Sequence, residues 1–262
     1  IAAHVGAARH LIVAPDGMLS LVPLAVLDTG TPALEQWEIS YLASGRDLLR
    51  LGERSAPKSG ALIVANPDFG AQATATAGAR AYDLSKAVFT PLPATAQEAE
   101  AIAAIAPEAR VLTEREASER AIKATAGPTL LHVATHGFFL GSDSMTVDGG
   151  RGLELTGDDL APAQALDAGN PLLRSGLVLA GAAAQGDGGE DGVLSALEVA
   201  SLDLRGTKLV VLSACETGVG AVYEGEGVQG LRRALAMGDA EIQVMRLLKV
   251  DDEATGDLMV AY

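Results

Sequence analysis

Short apolar runs alternate along this chain with segments of helical periodicity. Two of these runs, residues 130–134 and 209–212, are continuous enough to predict strands that are buried on both faces. Such strands, when helices separate them, are typical of a parallel sheet. The pattern therefore predicts an α/β fold with a mostly parallel central sheet and helices on both faces. Further strands are predicted at 11–14, 61–65, 111–112, 176–179 and 242–248.

Helical periodicity predicts helices between these strands, at residues 94–106, 118–125, 195–201 and 227–236. Near the start, Asp16 and Gly17 separate the apolar runs 11–13 and 19–24. Because an Asp-Gly pair between apolar runs favours a two-residue hairpin turn, we expect two paired strands there.

Composition narrows the classes of function. The 262 residues include 34 acidic and 19 basic side chains, a net charge of -15 that would repel nucleic acid and anionic lipid. A single cysteine can form neither an internal disulfide nor a zinc cluster, and a reducing compartment suits a working thiol. With no signal peptide and no membrane span in the pattern, we expect a cytoplasmic protein without membrane, metal or cofactor.

Candidate chemistry lies at the ends of the two buried runs. Cys215 follows one run and His136 follows the other. If the two strands are neighbours in a parallel sheet, both side chains emerge at its carboxyl edge, where such sheets place their active sites. The imidazole would then raise the thiolate fraction of the cysteine. The backbone N–H groups of Gly137 and Cys215 could together form an oxyanion hole.

Each residue also has an ordinary structural interpretation. A lone cysteine is most often a small core side chain, and a lone histidine is most often a hydrogen-bonded structural residue. The matched positions of Cys215 and His136 favour the catalytic interpretation for this pair. His132 lies inside its predicted strand and is interpreted as structural, while His4 and His10 have no context that indicates chemistry.

One further motif suggests a different kind of site, which would bind a dinucleotide. Residues 225–230 have the G-x-G-x-x-G spacing of a dinucleotide-binding loop. Such a loop should follow its strand directly, however, and Glu226 would repel a pyrophosphate. We therefore predict a loop beside the site, with Glu226 capping the next helix or bonding to the cysteine loop.

The segments 131–139, LHVATHGFF, and 212–218, LSACETG, resemble the paired signatures of CHAT domains, which are relatives of the caspases. Similar matches at 11–17, 191–198, 225–234 and 249–255 extend the resemblance over the whole chain. The resemblance implies a caspase-hemoglobinase fold. It also implies peptide-bond hydrolysis with Cys215 as nucleophile and His136 as catalytic histidine.

The resemblance also implies where a substrate binds. Ser213, two residues before the nucleophile, corresponds to a position that lines the primary pocket in caspase-like enzymes. The strand around Arg246 resembles the one that pairs with the substrate backbone, although family members often carry Ser at Arg246. Because Ser213 is uncharged, a preference for basic residues would need another acid, with Asp252, Glu226 and Asp191 as candidates.

Family membership would make residues 1–262 a single domain, with an N-terminal sub-region at 1–57 and a catalytic core at 58–262. We expect an excised piece whose carboxyl end is incomplete, because family members run on in a further aromatic segment. The resemblance implies a regulated bacterial defence or cell-death protease that cleaves a protein substrate. Tetratricopeptide repeats in cis or a regulatory complex would control it. The alternative is a catalytically silent, caspase-like interaction module.

Overall fold

The structure is a computed structural model of the chain. It describes residues 5–15, 19, 22, 24–27, 30–42, 44–49, 52, 55–70, 89–139, 171–173, 175–182, 190–214, 222–223, 227–228 and 230–245. The strands are β1 (His10–Val13), β2 (Glu38–Tyr41), β3 (Leu62–Pro67), β4 (Arg110–Glu114), β5 (Leu130–Ala134), β6 (His136–Phe139), β7 (Ser175–Val178), β8 (Val193–Ser195), β9 (Leu209–Ser213), β10 (Val222–Tyr223), β11 (Gly227–Val228) and β12 (Ile242–Met245).

Five short or medium helices accompany these strands. They are α1 (Ala33–Gln36), α2 (Pro93–Ile105), α3 (Glu119–Lys123), α4 (Ala196–Val199) and α5 (Leu231–Met237), as far as the described residues go. Short 3-10 helices lie at Leu24–Val26, Gly45–Leu49 and Pro171–Leu173. The chain divides into two compact units, one of Ile1–Glu53 with Val222–Val228 and one of Arg54–Ala221 with Gln229–Tyr262. The predicted boundary between residues 57 and 58 stays a prediction.

The second unit is built on a five-stranded sheet in the order β12-β9-β5-β3-β4. Every neighbouring pair in this sheet is parallel. A second sheet has three antiparallel strands in the order β6-β7-β8. Its first strand, β6, follows β5 in the chain after a single residue. The predicted α/β fold with a mostly parallel central sheet is thus confirmed.

Helices cover both faces of the five-stranded sheet, as their sequences require. Pro93 occupies the first turn of α2, where its missing N–H costs nothing, and the side chains that α2 buries recur at helical spacing. Shorter α3 and α4 begin at serine caps: Ser118 accepts a hydrogen bond from the Ala121 amide, and Ser195 forms a capping box with Glu198. These caps satisfy backbone N–H groups at the start of two helices that are only about one turn long.

The strands alternate their side chains between two cores of different size. The larger apolar cluster contains Leu131, Val133 and Leu212 from the sheet, together with residues of α3, α4 and α5. A smaller cluster on the other face joins Ile63, Ala65 and Ala134 to Ala99 and Ile102 of α2. Because both clusters include residues of β5, both faces of this strand are buried.

The sequence-based hairpin near the start is wrong. Strand β1 pairs in parallel with β2, and Leu24, the last residue of the expected second strand, begins the 3-10 helix Leu24–Val26. The residues of the predicted turn, Asp16 and Gly17, lie outside the described residues. A parallel partner that is distant in sequence leaves no local turn signal for the pattern to show.

The predicted helix at 227–236 begins later than expected. Gly227 and Val228 form β11, which pairs with β10, and α5 begins at Leu231. Gly230 precedes the helix with φ 127°, a backbone conformation that glycine adopts readily and other residues rarely do. The helix therefore starts only after Gly230.

Candidate active site

His136 lies at the point where the parallel sheet gives way to the antiparallel one. A single residue, Thr135, separates the end of β5 from His136, which begins β6 and pairs with Val178 of β7. The Thr135 hydroxyl donates a hydrogen bond to the Val178 carbonyl, which fastens this junction. His136 is thus at the carboxyl edge, but within a strand rather than in a loop.

The ring of His136 is buried and held on two sides. Its Nε2 donates a hydrogen bond to the Thr90 carbonyl, 2.8 Å away, because a carbonyl oxygen can only accept. The Phe69 ring lies 5.1 Å from the imidazole, centroid to centroid, and tilted by 38°. With Nε2 carrying a hydrogen, any exchange of a proton falls to Nδ1.

Gly137 follows in β6 and pairs with Leu177 of β7. It is buried, in agreement with a position beside the imidazole rather than at the surface. Its share in an oxyanion hole stays a prediction, because the second amide belongs to Cys215.

The other predicted strand end belongs to β9, which lies next to β5. The register pairs Val133 with Leu212 and Ala134 with Ser213. His136 and Cys215 each follow two residues after the pair formed by Ala134 and Ser213. The two strands are therefore neighbours in the parallel sheet, which is the condition under which both signatures reach its carboxyl edge, and Ala214 is the last described residue after β9.

Several predicted site residues lie outside the described residues: Cys215, Glu226, Arg246 and Asp252. Ser213 is described and fully buried, and its hydroxyl donates to Oε2 of Glu98 at 3.1 Å. Asp191 accepts a hydrogen bond from the Val193 amide through Oδ1, at 2.9 Å. Their roles in substrate binding stay predictions.

Glu98 of α2 links the two strands through a buried carboxylate. Its Oε1 is 2.9 Å from Nε2 of His132, within a hydrogen bond, while Oε2 accepts from Ser213. All three residues are at most 3% exposed. His132 is thus a buried, hydrogen-bonded histidine in the body of β5, as the sequence predicts.

A comparison with known protein families identifies the family of the chain. A family model described as CHAT domain matches residues 1–262, the whole chain. The chain belongs to the CHAT domain family. CHAT domains are caspase-like, and membership suggests a protease. No curated protein matches the sequence.

A cleft of about 380 Å³ opens in the CHAT domain near the ends of β3 and β4. Its lining includes Asp68, directly after β3, and Arg115, directly after β4, whose Nε lies 3.4 Å from Oδ2 of Asp68. Arg120 and Glu190 add charges of both signs. Phe69, which contacts the His136 ring, follows Asp68 in the sequence.

A second polar cluster of the CHAT domain surrounds the ammonium of Lys123. The ammonium donates hydrogen bonds to the carboxylates of Glu119, Glu190 and Glu198. The three carboxylates lie close enough together to hold a cation, and the ammonium already provides one. Burial and, to a smaller extent, the hydrogen bond with Glu190 raise the pKa of Glu119 to about 8, against the opposing effect of Lys123.

Hydrogen bonds from Glu119 and Lys123 lower the pKa of Glu190. Burial would lower the pKa of Lys123, but its bonds to the three carboxylates raise it above the ordinary value. The cluster therefore holds a protonated Glu119 against an ionised Glu190 at neutral pH.

Glu98, Thr90 and Phe69 were not predicted from the sequence. Glu98 had a readable signal, because it shares the buried stripe of α2 with Thr95, Ala99 and Ile102 at helical spacing. An acid on such a stripe needs a buried partner. Thr90 contributes a carbonyl oxygen, which any residue carries, so its side chain gave no signal. Among the described residues, no helix of the CHAT domain is long and apolar enough to cross a membrane.

Proposed function

We propose that this CHAT domain is a cysteine endopeptidase in which His136 activates Cys215. The observation that carries the proposal is the register between β5 and β9, which pairs Ala134 with Ser213, each two positions before one of the two residues. Two adjacent parallel strands that end in a thiol and an imidazole are the arrangement that nucleophilic catalysis needs.

The held orientation of His136 supports the same role. With Nε2 bound to the Thr90 carbonyl, Nδ1 is the nitrogen that takes the proton of the Cys215 thiol. The thiolate then attacks the scissile carbonyl carbon, and the Gly137 and Cys215 amides receive the oxyanion. The imidazolium returns its proton to the leaving amine, which leaves a thioester on Cys215.

Hydrolysis completes the cycle. Nδ1 of His136 takes a proton from water, the resulting hydroxide attacks the thioester carbonyl, and the carboxylic acid product leaves. The thiolate recovers its proton from the imidazolium. No metal, redox partner or further cofactor enters this sequence of steps.

Substrate binding is part of the proposal. Ser213 lines the primary pocket, the strand around Arg246 pairs with the peptide backbone, and Asp252 or Glu226 supplies an acid where a basic side chain is bound. The substrate is a protein, and the protease acts in the cytoplasm of a bacterium, in defence or cell death. Tetratricopeptide repeats in cis or a regulatory complex control it. Resemblance to other CHAT domains supports these assignments.

A comparison of new protein N-termini in cells tests the proposal. Cells that express the wild type, with its activating partner, should accumulate new termini that are absent with Cys215→Ala and with His136→Ala. Expression and folding of the variants, followed by thermal melting, provide the control. Identical sets of termini with the wild type and Cys215→Ala would refute the peptidase and favour a silent interaction module.

A further inference from the structure

A carboxylate buried beneath a helix connects the two strands that lead into the proposed active site. Each oxygen of Glu98 goes to a different strand: Oε1 to His132 of β5 and Oε2 to Ser213 of β9. Removing a carboxylate from water is costly unless hydrogen bonds replace the water. These two hydrogen bonds therefore help to hold Glu98 in place between the two strands.

The position of the connection is specific. Ser213 is the last residue of β9, and its partner in the register, Ala134, is the last residue of β5. Cys215 follows Ser213 after one intervening residue. Glu98 thus binds the end of β9 just before the chain reaches the proposed nucleophile.

Packing alone does not account for these polar groups. The neighbours of Ser213 along and across the sheet, Ala214 and Ala134, are small and fully buried, so an alanine would fit at position 213. An apolar residue at position 98 would likewise continue the buried stripe of α2. Buried polar pairs often contribute little net stability and more to a specific geometry.

We propose that Glu98 is a positioning residue, which acts through Ser213 to fix the segment that carries Cys215 relative to His136. The inference rests on the proposed function. Loss of the Ser213–Glu98 hydrogen bond loosens the exit from β9. The thiol then spends less time where the imidazole can accept its proton, and its thiolate fraction at neutral pH falls.

Alkylation of the thiol measures this effect without a substrate. Cys215 is the one cysteine of the chain, so iodoacetamide labelling followed by mass spectrometry reports on it alone. Ser213→Ala should slow labelling at pH 7 by about fivefold or more, as expected when a reacting group is misplaced. Near pH 10, where every thiol is ionised, the wild-type and variant rates should agree within about twofold.

Two companion variants sharpen the result. Glu98→Gln should act in the same direction, because its amide offers one acceptor oxygen to two partners. Ser213→Thr restores a hydroxyl and should recover most of the wild-type rate. Ser195→Ala is the matched control, since it also removes a buried serine that donates to a glutamate, here Glu198 at 2.6 Å. Its labelling profile should be that of the wild type.

The outcomes separate the inference from the proposed function. The labelling profile could change in His136→Ala but stay the same in Ser213→Ala and Glu98→Gln. That result would overturn the inference and leave the proposed function standing. Equal slowing at pH 7 and pH 10 would also overturn it, since that indicates a change of access. A wild-type midpoint at the ordinary thiol value, unaffected by His136→Ala, would overturn both.

Discussion

The two faces of the five-stranded sheet are built differently. On one face, strands β3, β5 and β9 contribute large aliphatic side chains, and α3, α4 and α5 complete an apolar core. On the other face, the same strands present Ile63, Ala65 and Ala134 together with His132 and Ser213, and α2 covers them with Ala99, Ile102 and Glu98.

The polar groups also differ in depth. Near α3 and α4, on the side of the apolar core, the Lys123 cluster lies partly in solvent, with the lysine side chain 30% exposed. The Glu98 connection, in contrast, is buried directly against the sheet. We conclude that the apolar face mainly stabilises the fold, whereas the polar face fixes the geometry of the strand ends.

The largest effect is expected on the apolar face. Leu131→Ala should lower the free energy of unfolding by about 3 kcal/mol, because it leaves a cavity in the larger core. Urea denaturation measures the change. The same substitution at the exposed Leu49 should change it by less than about 0.5 kcal/mol.

Labelling of Cys215 in Leu131→Ala tests whether the apolar face of the sheet also affects the thiol. Folded Leu131→Ala protein should keep the wild-type labelling rate, since the residue faces away from Glu98. A loss of stability below about 1 kcal/mol, or a labelling rate changed as much as in Ser213→Ala, would break the contrast between the faces.

A smaller effect is expected from the Lys123 cluster. The carboxyl of Glu119 has an ordinary pKa of 4.5 and a pKa of about 8 in the folded protein. Between these values the folded state keeps a proton that the unfolded state has released. The free energy of unfolding therefore falls as the pH rises through this window.

Glu119→Gln tests this contribution, because its amide donates to Glu190 as the protonated carboxyl does. Thermal melting between about pH 5 and pH 8.5 should show a flatter decline for the variant than for the wild type. Parallel curves would show that Glu119 ionises normally in the folded protein. The labelling of Cys215 should be unaffected, because the cluster lies apart from the Glu98 connection.

Much of this architecture could be predicted from the sequence. The run at 130–134 is the observed β5, because a strand buried on both faces is mostly apolar. The pairing of β1 with β2 could not be predicted, since parallel partners leave no local turn. The antiparallel strand that begins at His136 was also missed, because its partner β7 lies far along the chain.

The residue types of the candidate site could be predicted from the sequence. The groups that hold these residues in position could not. The strand ends at His136 and Cys215 carry side chains of recognisable chemistry. Thr90 acts through a backbone carbonyl. Glu98 contacts His132 and Ser213, which lie 34 and 115 positions away from it in the sequence. Such contacts exist only once the helix has packed on the sheet, so no local pattern shows them.

The account depends most directly on the activation of Cys215 by His136. The decisive measurement is the rate of iodoacetamide labelling of Cys215 as a function of pH, in the folded wild type and in folded His136→Ala. The account predicts a wild-type midpoint below the ordinary thiol value of about 8.5, and a shift toward that value in the variant. Superimposable profiles for the two proteins would contradict it.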